Sequence, residues 1–242
     1  VKAYKKNEAK YIANSLALQQ TKDPTSPWTS LGPIDFDKEA ADRSYAAGAA
    51  HVYCIDQSTS NPDILYAATA TTGIWKTTDH GLNWVATTHN LMINSLRALK
   101  IHPSDANIVY AGMMGSLYIT NNGGLTWNNT PDANFTALTH DISDIITHPT
   151  NGNLVWLASD QGLYYSSNGG VNWQQLLTGI FQEIEIKPDN PDIMYAVKQI
   201  NNRTEFYKSE DGGINFIKKG IGWPDPSGIP GTPEQKRTEI AT

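Results

Sequence analysis

The stretch TTDHGLNW, residues 77–84, returns three more times along this chain and decides its fold. The further copies are TNNGGLTW at 120–127, SSNGGVNW at 166–173 and SEDGGINF at 209–216. Their third positions are separated by 43, 46 and 43 residues. A regular spacing of this length is typical of repeat proteins and of propeller blades. The sequence therefore predicts one array of similar units.

Each unit contains four short strand candidates separated by turn residues. In the second unit they are SLRALKI (95–101), NIVYAGM (107–113), SLYIT (116–120) and LTWNN (125–129). Short apolar strands joined by tight turns pair as an antiparallel meander. We predict an all-β chain of four-stranded antiparallel blades in a β-propeller. The four blades are expected at about 49–88, 94–130, 141–178 and 181–219.

The flanks of the array differ from the repeat. Residues 1–27 are predicted to be a leader with a short N-terminal helix, because the first 20 residues have helical composition. The propeller segment is assigned to 28–242, with the start of a fifth blade at 237–242. A ring of about seven such blades needs more residues than this chain has. We expect the remainder of the same polypeptide to complete a larger propeller.

The recurring eight-residue copy, called the box from here on, joins the third strand of each unit to the fourth. An Asp or Asn side chain can accept hydrogen bonds from backbone N–H groups two residues on, Gly supplies a positive φ, and a Thr or Ser hydroxyl can brace the reversal. The closing aromatic ring can fill the wedge between diverging blades. The residues assigned these structural roles are Thr77, Asp79, Gly81, Trp84, Thr120, Asn122, Gly124, Trp127, Ser166, Asn168, Gly170, Trp173, Ser209, Asp211, Gly213 and Phe216.

The third box position is an acid in two copies and an amide in the other two. Asp79 and Asp211 hold it in two copies, whereas Asn122 and Asn168 hold it in the others. An amide cannot act as a general acid and would weaken a calcium site, yet it accepts the same turn bonds. The interchange favours a turn residue over a metal ligand or catalytic acid. No metal or other cofactor is predicted.

Composition excludes several classes of function. The chain carries 18 Lys plus Arg against 24 Asp plus Glu, without a basic stripe, so nucleic-acid binding is not expected. The single cysteine, Cys54, allows no intramolecular disulfide and no zinc site built from several thiolates. The sequence contains no run of 18 apolar residues, so direct membrane insertion is not expected.

Meander topology separates the turns into two groups. The first turns and the boxes lie at one end of the strands, and the second turns and the links between blades lie at the other. The second group differs from unit to unit, which favours it as a binding surface. Candidate binding residues there, for sugar stacking or protein contact, are Phe36, Tyr45, Phe135, Arg203 and Trp223, with packing onto the blade beneath as the alternative.

The box resembles the Asp-box, or BNR repeat, with the pattern S/T-x-D-x-G-x-T/N-W. HPSDANIVYAG (102–112) and KPDNPDIMYAV (187–197) resemble the segment that usually precedes it. Asp-box propellers include sialidases, xyloglucanase-like glycoside hydrolases, sortilin-type receptor domains, photosystem II assembly factors and repeat modules of secreted bacterial proteins. The resemblance implies an extracellular or cell-surface location, with the periplasm as a further possibility.

The enzymatic members of this group lack support in key residues. Xyloglucanase-like hydrolases carry a catalytic aspartate in a YARTDxGGAYRW pattern, and the matching segment here, 66–77, has Ala70 at that position. Glycoside hydrolysis by acid/base chemistry needs two carboxylates. Asp160, at the corresponding turn of the third unit, is a weak catalytic candidate. The Arg-Ile-Pro segment of sialidases is absent.

The preferred hypothesis is a non-catalytic interaction module that binds a protein or polysaccharide through the variable turns. One alternative is a xyloglucanase-like glycoside hydrolase, endo-acting on β-glucans, with catalytic acids partly outside this sequence. Another is an assembly factor of the photosystem II type, which the same fold permits.

Overall fold

Four separate sheets make up the described part of the chain. A computed structural model describes residues 51–88, 91, 96–113, 115–130, 141–200 and 203–219. Within these ranges all helices and strands assigned are β-strands, arranged as four four-stranded antiparallel sheets whose strand order follows the chain. The predicted all-β fold with four meander blades of a propeller is confirmed.

Other parts of the fold prediction lie outside the described residues. These are the short N-terminal helix within 1–27 and the start of a fifth blade at 237–242. The number of blades in a complete ring stays a prediction. Within the described ranges no helix has the length and hydropathy that a membrane span requires.

The first two sheets, blades 1 and 2, contain eight strands. Blade 1 pairs each strand with the next, and its outermost strand is only two residues long. The strands are β1 (Val52–Gln57), β2 (Leu65–Thr69), β3 (Ile74–Thr77) and β4 (Val85–Ala86) in blade 1, and β5 (Ala98–His102), β6 (Asp105–Met113), β7 (Ser116–Thr120) and β8 (Asn128–Asn129) in blade 2.

Blades 3 and 4 repeat this order with longer outer strands. They comprise β9 (Ile142–Thr147), β10 (Val155–Ser159), β11 (Gly162–Ser166) and β12 (Gln174–Thr178) in blade 3, and β13 (Ile180–Ile186), β14 (Met194–Ile200), β15 (Arg203–Ser209) and β16 (Ile217–Lys219) in blade 4.

The first hairpin of blade 2 differs from the sequence prediction. The first strand begins at Ala98, not at residue 95, and the second begins at Asp105, not at residue 107. A register irregularity after Ile101 brings His102 opposite Asp105. The turn is therefore tighter than the five-residue HPSDA segment suggested, because the irregularity lets its last residues pair.

The hydrophobic core lies between successive blades. Three buried clusters each combine side chains from two neighbouring sheets. Three of the four box aromatics take part: Trp127 belongs to the cluster between blades 1 and 2, Trp173 to the next, and Phe216 packs against the third, whereas Trp84 belongs to none of the three clusters. Alternate residues of a strand point to opposite faces, so each blade can pack against both neighbours.

One aromatic residue in the second strand of blades 1 to 3 contacts the following blade. The Tyr66 hydroxyl donates to the carbonyl of Ala106 at 3.4 Å. The Tyr110 ring lies where a Cβ on Gly170 would approach it to 3.2 Å. Trp156 Nε1 donates to the carbonyl of Gly213 at 2.8 Å. The box turn of one blade is thus a packing surface for the blade before it.

Side-chain hydrogen bonds hold each box. In the first copy the Thr77 hydroxyl donates to Asp79 Oδ1 at 2.7 Å and accepts from the backbone N–H of Gly81 at 3.0 Å. Asp79 Oδ1 also accepts from the backbone N–H of Asn83 at 2.8 Å. This acceptor bond spans four residues, whereas the sequence argument expected two. The side chain therefore closes a wider loop than a simple Asx-turn.

The residue four positions after the acid or amide explains their interchange. Asp79 accepts from the side-chain amide of Asn83 at 2.7 Å, and Asp211 accepts from that of Asn215 at the same distance. In the second box Asn122 reverses the direction and donates to the Thr126 hydroxyl at 2.8 Å. Either an acid or an amide therefore fits the third box position, because the residue four positions later supplies the complementary donor or acceptor.

His80 is an exception among the box residues. It is the one non-glycine residue of the described chain with a positive φ, at 56°. Glycine holds the same position in the other three boxes, where any side chain would be strained. His80 Nε2 lies 2.5 Å from Asp63 Oδ1, and its backbone N–H donates to the carbonyl of Asp63 at 3.1 Å. These contacts connect the box to the first turn of blade 1.

Replacing Asp79 by Ala should lower the urea concentration at the midpoint of unfolding, because three bonds to the carboxylate are lost. Asp79→Asn is the matched control. It keeps the acceptor oxygen for Thr77 and Asn83 and should lose less than half as much. Urea denaturation followed by tryptophan fluorescence measures both. Equal losses for the two variants would contradict the turn role.

Candidate functional site

The turns that vary between blades meet at one end of the sheets. This end, comprising the second turns and the interblade links, is called the loop face from here on. In blades 1 to 3, backbone bonds join the second turn, or the end of the strand before it, to a neighbouring link. They run from Ala70 N to His51 O, Arg97 N to Gly112 O, Asp160 N to Asp141 O and Gly179 N to Gln161 O, at 2.8–3.1 Å.

Asp160, the weak catalytic candidate, lies on the loop face and is tied to the link before blade 3. Its Oδ1 accepts from the backbone N–H of Asp141 at 2.9 Å, and its own N–H donates to the carbonyl of Asp141 at 3.1 Å. These reciprocal bonds form a clamp between the turn and the link. Its geometry gives Asp160 a structural role and leaves its second carboxylate oxygen for other contacts.

An ion pair that the sequence argument missed crosses from blade 2 to blade 3. Arg97 Nη1 lies 2.9 Å from Asp141 Oδ2. Burial raises the pKa of the Asp141 carboxyl, with Asp160 adding to the rise and Arg97 opposing it. Asp141 Oδ1 is buried and has no hydrogen-bond partner in the described part of the chain. Arg97 and Asp141 precede the first strands of successive blades, and comparing these two link positions could have suggested the pair.

The predicted binding residues are not assembled into a described site. Phe36, Tyr45, Phe135 and Trp223 lie outside the described residues. The backbone of Arg203 begins the third strand of blade 4, opposite Ile200, and its side chain is also outside. Their binding roles stay predictions. The loop-face side chains that are described and exposed include those of Thr71 and Gln161.

Trp75 is an aromatic near this end that the sequence argument did not single out. Its indole Nε1 donates to the Thr72 hydroxyl in the second turn of blade 1 at 3.0 Å. Thr72 Oγ1 also lies 2.9 Å from Thr69 Oγ1. Trp75 was overlooked because it lies inside a predicted strand rather than in a loop. Its half-buried ring and bonded donor make it a supporting residue beside the loop face.

Charged groups on the innermost strands bond to the following blade. Asp56 Oδ2 accepts from the backbone N–H of Ile101 at 2.7 Å, and Asp56 Oδ1 lies 3.2 Å from Lys100 Nζ. Asp144 Oδ2 accepts from the backbone N–H of Ile184 at 3.0 Å. Each carboxylate therefore satisfies an N–H on the edge of the next blade.

Two groups near this inner edge have strongly raised pKa values. Burial, with help from Glu185 and Glu183, raises the pKa of Asp144 to about 7. Burial, followed by the charges of Asp144 and Asp56, raises the pKa of the Cys54 thiol to about 12. A thiol of this kind is protonated and unreactive at neutral pH. These inner residues lie at the blade interfaces, and the Cys54 thiol is not an activated nucleophile.

A groove of about 740 Å³ lies between the outer strands of blades 1 and 2, at the end that carries the boxes. Its wall includes Lys76, whose Nζ donates to the carbonyl of Gly123 at 3.0 Å. Val85 and Leu125 line it with side chains that are 64% and 84% exposed. The groove was not predicted from the sequence, because its shape arises from the spacing of two outer strands.

No metal centre is formed by the described residues: nowhere in these ranges do three or more His, Cys, Asp or Glu side chains come together in a suitable group. The loop face instead offers hydroxyl, amide and paired charged groups. Such groups can donate and accept hydrogen bonds to a sugar or a peptide.

Comparisons with known proteins identify the fold through structure alone. No family model and no curated protein matches the sequence. An ancestral GH74 enzyme superposes with a TM-score of 0.59 at 18% identity, over 70% of this chain and 25% of its own. The GH74 xyloglucanase of Xanthomonas campestris gives 0.56 at 14% identity, over 69% and 29%.

YCF48 from Cyanidioschyzon merolae is a further structural neighbour, with a TM-score of 0.50 at 13% identity, over 70% of this chain and 56% of its own. The chain thus spans about a quarter to a third of the GH74 proteins and about half of YCF48. At these identities the similarity establishes a shared β-propeller architecture. It carries no site residue from those proteins to this chain.

Proposed function

We propose that this chain is a non-catalytic interaction module whose loop face binds a polysaccharide or a protein. The observation that supports it best is the engagement of the loop-face acids. Asp160 Oδ1 is bonded to the Asp141 backbone, and Asp141 Oδ2 is paired with Arg97. Acids held in this way rigidify a surface. The exposed side chains around them, which differ from blade to blade, supply the ligand contacts.

Arginine substitutions at matched exposed positions test the location of binding. Thr71→Arg and Gln161→Arg place bulk and charge on the loop face, and Asn121→Arg and Ser167→Arg do so at the boxes; all four parent side chains are exposed. Soluble β-glucans, xyloglucan among them, serve as probes in affinity electrophoresis. We expect the first pair to weaken binding about tenfold or more through lost complementarity, with the second pair unchanged. Weakening by only the box-end pair would overturn the proposal.

A protein ligand is tested with the same four variants. Binding of a defined candidate protein should respond to the two loop-face substitutions and not to the two at the boxes. The partner would then recognise the hydroxyl and amide groups described above.

A glycoside hydrolase acting on β-glucans is the second candidate. Asp141 and Asp160 lie next to each other, the pKa of Asp141 is raised, and Asp141 Oδ1 lacks a described partner. A raised pKa is what a general acid requires, and a second carboxylate is needed beside it. The xyloglucanase among the structural neighbours has the same fold class.

Reducing-sugar release from xyloglucan separates the two candidates. A binding module should release none. Turnover that Asp160→Asn or Asp141→Asn abolishes, with the fold retained by circular dichroism, would establish the hydrolase instead. An assembly factor of the photosystem II type is the third candidate, compatible with the same architecture, and no described residue specifically supports it.

The proposed partners include further blades of the same polypeptide. Tyr195 holds the position in blade 4 that Tyr66, Tyr110 and Trp156 hold in the preceding blades, and it stacks on Phe206 at 5.5 Å. On blade 1 the face turned away from blade 2 presents Ile55 at 57% exposure. Both end faces thus carry apolar groups of the kind that bury against neighbours elsewhere in the array.

We propose that the protein is located outside the cell or on its surface, with the periplasm as a further possibility. This proposal rests on the resemblance to secreted Asp-box proteins.

A further inference from the structure

Three Asn-Gly pairs lie in the described turns. They are Asn122-Gly123 and Asn168-Gly169 in boxes, and Asn151-Gly152 in the first turn of blade 3. Asn-Gly is the dipeptide most prone to spontaneous deamidation, because glycine has no side chain to hinder attack by its own nitrogen. The three pairs have equal intrinsic reactivity but differ in their surroundings.

The reaction sets two structural requirements. The glycine nitrogen loses its proton and attacks Cγ of the asparagine, and the C–N bond to the side-chain amide breaks with release of ammonia. Water then opens the resulting succinimide to aspartate or to isoaspartate. A hydrogen bond from the glycine N–H, or side-chain bonds that fix Cγ, must therefore be broken before the reaction can proceed.

Both box pairs are held on each side of the reacting bond. Gly123 N donates to the carbonyl of Asn107 and Gly169 N to that of Asn153, each at 2.9 Å. The Asn122 side chain binds the Thr120 hydroxyl and both the backbone and the hydroxyl of Thr126. Attack at either box therefore requires the turn to open.

The third pair lacks these restraints. Asn151 is exposed, and its side chain accepts one bond, from the backbone N–H of Asn153 at 3.3 Å. The N–H of Gly152 has no hydrogen-bond acceptor among the described residues. Packing nevertheless demands the glycine, because a Cβ there would collide with the imidazole of His102. The turn thus retains a labile dipeptide that it cannot exchange for a bulkier one.

We infer that Asn151 is a site of spontaneous deamidation in the folded protein, whereas Asn122 and Asn168 are protected by their boxes. The product would alter a turn with a second structural task. The carbonyl of Asn151 accepts from Leu154 N, and the carbonyl of Asn153 accepts from Gly169 N in the neighbouring box. Isoaspartate at 151 lengthens the backbone between these anchors, so modification there should loosen the contact between the turn and the box.

Peptide mass mapping of the aged full chain tests this inference. The folded protein is incubated at mildly alkaline pH below its melting temperature, and conversion at each Asn-Gly pair is followed. Conversion at Asn151 should be at least about tenfold faster than at the two box sites, because those require local opening. In concentrated urea the three rates should become similar.

Two variants serve as controls. Asn151→Ser should remove the modified peptide without changing the two box rates. Ser166→Ala deletes the hydroxyl that bonds Asn168 Oδ1 at 2.9 Å and Gly170 N, and should accelerate conversion at Asn168. Equal rates at Asn151 and the boxes in the folded chain, or faster conversion at a box, would overturn the inference.

Discussion

Replacing Trp156 by Ala should lower the free energy of unfolding by about 3–5 kcal/mol, the largest effect expected for a single side chain here. The indole is fully buried between blades 3 and 4 and is packed on the ring of Tyr165 with centroids 5.2 Å apart. Its Nε1 bond to the carbonyl of Gly213 is lost as well. The variant leaves a cavity that neighbouring strands cannot fully close.

Trp156→Phe is the matched control, because it keeps a ring in the cluster and removes the donor. It should cost about 1–2 kcal/mol for a buried carbonyl left without its partner, plus a smaller packing loss. Chemical denaturation measures both values. A loss below 1 kcal/mol for the alanine variant would show that the interface between blades 3 and 4 does not depend on this residue.

The effect of Trp156→Ala should also be local. In a repeat array each unit contacts only its neighbours, so stability is a sum of unit and interface contributions. Hydrogen exchange in blade 4, beginning at Ile180, should increase strongly. Exchange in the second strand of blade 2, around Tyr110, should change much less. Uniform loss of protection across all four blades would indicate a single cooperative unit instead.

The fold could be predicted from the sequence because its determinants are local and recur. Each box places a hydroxyl, an acid or amide and a glycine within five residues, and four copies at regular spacing indicate equivalent blades. The bond from the backbone N–H of Asn83 to Asp79 was not anticipated at that separation, yet it acts inside the same turn. Errors of this kind shift a boundary or a partner and leave the architecture intact.

The candidate site could not be predicted to the same degree, because its contacts join residues from different blades. Arg97 and Asp141 are 44 positions apart, and their pairing depends on how blades 2 and 3 pack. The groove beside Leu125 likewise depends on the separation of two outer strands. Variation between turns identified the loop face as a region. It could not reveal that Asp160 is clamped to a link.

Stability should change with pH in two opposite directions. The bonds from Asn83 and Thr77 lower the pKa of Asp79 to about 2, and the backbone and side chain of Asn215, then Ser209, do the same for Asp211. These carboxylates contribute stability above their ordinary pKa of 3.8, and that contribution is lost as the pH falls through about 2. The protein should therefore weaken in strong acid.

Asp144 has the opposite effect at higher pH. Its folded-state pKa of about 7 lies above the ordinary value of 3.8, so the folded state binds more protons than the unfolded state between these values. Stability consequently falls as the pH rises from about 4 to about 7, by roughly 2–4 kcal/mol. Asp79 and Asp211 thus weaken the protein in acid and Asp144 weakens it towards neutral pH, so the contributions of these three groups are jointly most favourable near pH 4.

Asp144→Asn should abolish the fall in stability between pH 4 and pH 7, because the amide carries no charge to bury. Its oxygen can still accept from the N–H of Ile184. Glu185→Gln is a milder test. Removing that negative charge should lower the pKa of Asp144, so the fall in stability should occur at lower pH. The urea midpoints of the parent protein and of both variants, measured between pH 3 and pH 8, test these expectations. If Asp144→Asn keeps the full decline between pH 4 and pH 7, another group causes it, and the backbone N–H bonds from Ile145 and Ile184 stabilise the Asp144 carboxylate more than its burial destabilises it.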